Sequence, residues 1–115
     1  MNPYIFTGLP RETQFLSRLN RTVTDHQAII DATCRTLEIT KQDILSPSRK
    51  RNVSEARNIA IGLILQVNPG YGLKKLGELF NRDHSTMIHS RELFTSLYNS
   101  DKSFTTKVNQ VLNYV

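Results

Sequence analysis

Between residues 59 and 67 only Gly62 and Gln66 interrupt a run of apolar residues. A helix over this stretch is apolar on nearly every side, and such a helix is stable only where other elements cover it all round. The run is far short of the roughly 20 residues that cross a bilayer, so the cover must be protein. Elsewhere apolar residues recur every three or four positions, and no stretch alternates at period two for long. The pattern predicts an all-α domain of about five to seven helices wrapped around a central one. A chain of 115 residues suits one domain, and at that size on the order of two-thirds of the unfolded surface is buried without a disulfide or metal staple. The single cysteine, Cys34, excludes an internal disulfide and fits a reducing compartment. No basic segment leads into an apolar core at the start, so no secretory signal is expected and the location reads as cytoplasmic.

The helices can be placed in order. Residues 1–23 read as a leader with one short helix from Pro10 to about Asn20, its apolar side made by Phe15, Leu16 and Leu19. The domain proper runs over 24–115. Thr24 or Asp25 can cap a helix to about Leu37, with Ile29, Ile30, Thr33 and Leu37 facing the core and Cys34 beside them as a small buried hydrophobe. Thr40 caps a short helix ending near Leu45. Pro47 disfavours helix at Ser46, which leaves a basic loop through Arg51. Asn52 or Ser54 starts the central helix, and Glu55 stands at capping-box spacing from Asn52. Gly62 within that helix invites close approach of a neighbour. After the turn signal Asn68-Pro69-Gly70-Tyr71-Gly72, a short amphipathic helix carries Leu73, Leu76, Gly77, Leu79 and Phe80. Asn81 tolerates the left-handed conformation of a sharp turn. Asp83 can cap the next helix through the amide of Ser85 or Thr86. That helix turns Met87, Phe94, Leu97 and Tyr98 to one face and Ser85, His89, Glu92 and Ser96 to the other. Ser103 caps a last helix with Phe104, Val108, Val111 and Leu112 inward.

Charge singles out one part of this plan. Residues 1–48 carry five basic and five acidic side chains, and residues 92–115 carry two of each. Residues 49–91 carry eight basic against three acidic, so the whole excess of +5 lies there. A polyanion is the natural partner of such a segment, and a solvated basic face is the plain alternative.

Within it lies Arg82-Asp83-His84-Ser85-Thr86-Met87-Ile88-His89-Ser90-Arg91, joined to the preceding amphipathic helix by a tight turn. Two helices so joined are the sequence form of a helix-turn-helix, whose second helix meets base edges with its first residues. The chemistry suits that place. Asp accepts from cytosine N4, Ser and Thr pair with several base edges, and neutral His offers one donor and one acceptor. Arginine suits a narrow minor groove, as helix-start amides suit phosphate.

The block Arg82-Asp83-His84-Ser85-Thr86-Met87-Ile88-His89-Ser90, preceded by Leu76-Gly77-Glu78-Leu79-Phe80, closely resembles the signature of the C-terminal DNA-binding domain of the bacterial replication initiator DnaA family. Asp43-Ile44-Leu45-Ser46, the basic loop, Val53, Ala56-Arg57 and the tail with Asp101, Phe104, Val108 and Leu112 match in order and spacing, so the resemblance covers about residues 24–115. It implies binding of a short, non-palindromic DnaA box in double-stranded DNA by a monomer, in replication initiation or its regulation, with replication proteins as further partners. On matching positions it implies base contacts in the major groove by Asp83, His84 and Ser85, and a thymine methyl contact by Thr86. Arg49 would enter the adjacent minor groove, and Arg57 and Asn58 would hold phosphates. Lys50, Arg51, Lys75, Arg82 and His89 are further phosphate candidates. His89 lies on a different side of its helix, where simple exposure is an equal reading.

The chain departs from the family pattern at several points. Asn81 alone separates Phe80 from Arg82, where two glycines are frequent. Lys74 replaces a common proline, Leu65 a phosphate-binding lysine, and Glu55 a residue that is often basic. These changes bear on the preferred sequence more than on DNA binding. No G-x-x-x-x-G-K-S/T loop occurs, so no ATP hydrolysis is expected. Nor is any other catalysis or cofactor expected: His84 and His89, five apart, do not share a helix face as a zinc pair would, and Asp83-His84 has no nucleophile beside it. The rival reading is a protein-interaction adaptor or transcription regulator that keeps the fold.

Overall fold

The computed structural model describes residues 26–67 and 72–114. These form six helices and no strand: α1 (His26–Leu37), α2 (Lys41–Ile44), α3 (Arg51–Val67), α4 (Leu73–Phe80), α5 (His84–Ser100) and α6 (Lys102–Leu112). The expected leader helix, the Thr24 or Asp25 cap and most of the turn before Gly72 lie outside the described residues.

Helix α3 is the central element that its sequence requires. From Ile59 to Gln66 every residue is buried, and α1, α2 and α5 pack around it. Gly62 makes the crossing with α5 possible, because the Phe94 ring of α5 occupies the space where a Cβ would stand. Phe94 in turn meets Phe104 of α6 edge-on, with ring centroids 5.8 Å apart. Burying side chains of this size stabilises the fold by roughly 1.5–3 kcal/mol each. The inward stripe of α6 is Phe104, Val108, Val111 and Leu112, as the periodicity requires. Lys107 of α6 reaches Glu55 of α3 at 2.7 Å. Both are partly exposed, so this pair contributes about 1 kcal/mol or less.

Local chemistry sets the helix ends. Thr40 Oγ1 accepts the Asp43 amide and caps α2. Helix α3 begins at Arg51, ahead of both Asn52 and Ser54, so Asn52 lies within the first turn and does not cap it, and Glu55 pairs with Lys107. A ladder of serines leads into α3 instead. The Ser46 hydroxyl donates to the Asp43 carbonyl and accepts from the Ser48 amide, and Ser48 Oγ accepts from the Lys50 amide. The cap of α6 also differs from expectation. Asp101, not Ser103, accepts the amides of Ser103 and Phe104. A carboxylate there both reaches those amides and favours the positive end of the helix. After α1, Glu38 takes a left-handed φ of 57°, a turn made without glycine.

Cys34 is half-buried, and burial followed by the nearby charge of Asp31 pushes its thiol pKa up. That keeps it protonated and unreactive near neutrality, in keeping with a packing role. No helix among the described residues is long and apolar enough to cross a membrane.

Candidate nucleic-acid interface

Helix α4 buries Leu76, Gly77 and Phe80 and ends at Phe80, with three residues between it and the start of α5. Asn81 turns left-handed, at φ 57° and ψ 43°. Its amide donates to the Glu78 carbonyl, and the Arg82 amide donates to the Gly77 carbonyl at 2.8 Å. This pairing is a Schellman motif, which satisfies the last carbonyls of the helix while reversing the chain. Gly77 is a condition of it. A Cβ there would fall 2.6 Å from the Arg82 carbonyl oxygen, which is backbone and cannot rotate away. A glycine within an amphipathic helix was the available sequence signal for this close approach.

The chain then re-enters helix at Asp83, whose backbone is extended at φ −84° and ψ 171°. Its Oδ1 accepts three bonds: from the Thr86 hydroxyl at 2.7 Å, the Thr86 amide at 3.0 Å and the Ser85 hydroxyl at 3.1 Å. The Thr86 hydroxyl, then the Thr86 amide, then Ser85 hold the Asp83 carboxyl below its ordinary pKa, and the neighbouring His84 adds a smaller pull in the same direction. The carboxylate is therefore ionised throughout the neutral range. Both hydroxyl hydrogens point back to it, so Ser85 and Thr86 present lone pairs outward. Asp83, His84 and Ser85 are exposed and Thr86 is half-exposed, which places a group rich in acceptors at the start of α5.

The basic loop lies against this turn. The Ser46 carbonyl accepts from Arg82 Nη2 at 3.1 Å, across 36 positions of sequence. It also accepts from Arg57 Nη2 at 2.7 Å. Arg57 Nε donates to the Ile44 carbonyl at 2.9 Å. Burial, and then the positive charge of Arg82, lower the Arg57 pKa. Arginine stays protonated regardless.

Arg57, expected from the resemblance to hold a phosphate, is also tied to the protein's own backbone. It is only 6% exposed, and its donors hold carbonyls at the end of α2 and in the basic loop. Truncating it would leave the buried Ile44 oxygen without that donor, at roughly 1–3 kcal/mol. Leu65, where a lysine clamp was expected to be missing, packs into the core. The other candidates stand at the surface. Arg49, Lys50, Arg51, Lys75 and His89 are exposed, while Asn58 and Arg82 are half-buried. Among the described residues no hydrogen bond or ion pair holds the Arg49 side chain. Arg82 brings the Asp83–Thr86 group and the start of the basic loop together. Lys75 and His89 lie on other turns of α4 and α5. Sequence reasoning had no signal for Ser46, because its contribution to the site is a backbone oxygen.

These features define a helix-turn-helix domain with a charged, exposed helix start and a basic loop docked beside it. The chain belongs to the bacterial DnaA protein helix-turn-helix family, which residues 26–92 match, more than half of its length. The chromosomal replication initiator protein DnaA of Tropheryma whipplei (strain Twist) is 30% identical over 87 residues, covering 76% of this chain and 18% of that protein. The DnaA of a Synechococcus strain is 34% identical over 77 residues, covering 66% and 16%. The DnaA of Gloeobacter violaceus is 30% identical over 91 residues, covering 73% and 20%. The chain spans about a fifth of the length of these relatives.

Proposed function

We propose that this domain binds double-stranded DNA at a specific, non-palindromic site of the DnaA-box type, as a monomer. The start of α5 enters the major groove, where Asp83, His84 and Ser85 meet base edges and Thr86 meets a thymine methyl. Asp83 and the two outward-facing hydroxyl oxygens suit amino groups, which cytosine N4 and adenine N6 present in that groove. Arg49 reaches the adjacent minor groove. Asn58, Lys50, Arg51, Lys75, Arg82 and His89 are the candidate phosphate contacts. The role is in replication initiation or its regulation, without ATP hydrolysis. The observation that carries the reading is the exposed Asp83-His84-Ser85-Thr86 helix start, built on a Schellman turn and joined to the basic loop through Arg82.

Fluorescence anisotropy tests it, with a labelled duplex carrying a DnaA box and a scrambled duplex of equal length, each at two salt concentrations. Tighter binding to the box, weakening as salt rises, is the expected result. Equal binding to both duplexes would make this a non-specific architectural domain. No salt-dependent binding to either would favour a protein-interaction adaptor.

A further inference from the structure

Two guanidinium groups converge on the carbonyl of Ser46, Arg57 Nη2 at 2.7 Å and Arg82 Nη2 at 3.1 Å. They arrive from different elements, Arg57 from the interior of α3 and Arg82 from the turn before α5. Neither belongs to an ion pair among the described residues. Two cations brought together without a carboxylate repel each other, and burial of Arg57 strengthens that repulsion. The peptide carbonyl they share offsets this in part. Arg57 alone would satisfy the Ser46 oxygen, so the bond from Arg82 adds a link and not a missing partner.

We infer that Arg82 is a positioning residue that ties the basic loop to the recognition helix, so that the arm bearing Arg49 and the Asp83–Thr86 group act as one reading unit. This rests on the DNA-binding role proposed above. The chain geometry supports it. Arg82 directly precedes the Asp83 cap, and Ser46 is three residues before Arg49, a span of at most about 11 Å. The ring of Pro47 and the Ser46 and Ser48 hydroxyl bonds stiffen that span. An arm held in place before DNA arrives loses less freedom on binding, which favours affinity. Arg82 thereby serves both grooves without touching a base.

The test has a DNA-free arm and a DNA arm. In the free protein, trypsin should cut after Arg49, Lys50 or Arg51 several-fold faster in Arg82→Ala than in wild type, with circular dichroism unchanged. Arg82→Lys, which keeps a donor, should bring the rate back towards wild type. An unchanged rate overturns the tether. The second arm is a double-mutant cycle between Arg82→Ala and Arg49→Ala, read by anisotropy on a DnaA-box duplex. Arg49→Ala should weaken binding roughly tenfold in wild type and much less once Arg82 is gone, since coupled sites are not additive. Additive losses would show that Arg82 does not couple the arm to the recognition helix and would overturn the proposal. A loop loosened in Arg82→Ala, with no variant or wild type binding the duplex, would uphold the tether and discard the DNA-binding role instead.

Discussion

A Cβ on Gly62 would fall 2.2 Å from Cγ of Phe94, so α3 and α5 cross with no room for a side chain between them. Two effects of Gly62→Ala oppose each other. Alanine raises helix propensity by about 1 kcal/mol. Overpacking a filled core costs about 1–3 kcal/mol, and here the obstacle is the root of a ring that moves only with its helix. The cost wins. Urea unfolding should show a lower midpoint with an unchanged slope, and a net loss of about 1–2 kcal/mol. Phe94→Leu in the same chain should recover part of that loss. Strict additivity of the two substitutions would show that Phe94 is not the obstacle to a side chain at position 62.

Gly77 faces a similar obstacle with a different consequence. The atom in its way is the Arg82 carbonyl oxygen, at 2.6 Å from a built Cβ, and that oxygen belongs to the turn that aims α5. Gly77→Ala must push the turn open. DNA affinity should fall by more than tenfold at temperatures where circular dichroism finds the variant folded, because a small misplacement of the helix start separates every base contact from its partner. Asn81→Gly is the control. It keeps the left-handed turn at φ 57° without steric cost and should leave both folding and binding near wild type. A Gly77→Ala domain that binds normally would mean that the turn does not set the aim of α5.

Asp83 links the turn to pH. Its folded-state pKa is lowered, first by the Thr86 hydroxyl, then by the Thr86 amide and the Ser85 hydroxyl. A lowered carboxyl contributes stability above its unfolded pKa of about 3.9, and that contribution is lost as pH falls through the folded value. The cap should therefore be intact from about pH 5 upward and should fail only in acid. Carboxyl carbon shifts followed by NMR should give Asp83 a midpoint below that of an unfolded aspartate. Thr86→Val removes the largest cause and should move the midpoint up. An unmoved midpoint would assign the shift to the Thr86 amide and the Ser85 hydroxyl instead.

The parts of this fold that were legible in the sequence are those set by local periodicity and turn chemistry. The apolar run of α3, the left-handed Asn81 and the Asp83 cap each follow from residues within a few positions of one another, and Gly62 marks where a helix crosses though not that Phe94 lies there. The parts that were not legible depend on distant backbone. The entry of α3 at Arg51 is set by the serines on either side of Pro47, and hydrophobic periodicity does not register them. Arg57 reads as a surface cation by its charge, and becomes structural only when the Ile44 and Ser46 carbonyls are brought beneath it. Ser103 is a good cap by residue type, but Asp101 stands two positions nearer the end of α5 and carries the stronger acceptor. In the candidate site, the exposed helix start was legible as a motif. Its connection to the basic loop was not, since a carbonyl oxygen is the same in every residue.

The burial of Arg57 changes which substitutions separate affinity from specificity. A residue that only neutralises phosphate should weaken binding equally on all sequences and lower the salt slope by roughly 0.9. Lys50 is suited to that measurement, because it is exposed and its side chain has no partner among the described residues. Arg57 is not suited, since its loss disturbs the loop and the end of α2 together. His84 is exposed beside the Asp83 cap and should act through a base edge. His84→Ala should leave the salt slope near wild type and cut discrimination at one base pair by roughly 1–3 kcal/mol. Lys50→Ala should do the reverse. Anisotropy titrations of both variants against the box and its single-base variants, across a salt series, measure the two quantities independently. Equal losses on every duplex for both variants would remove His84 from the bases and leave the start of α5 as a phosphate contact.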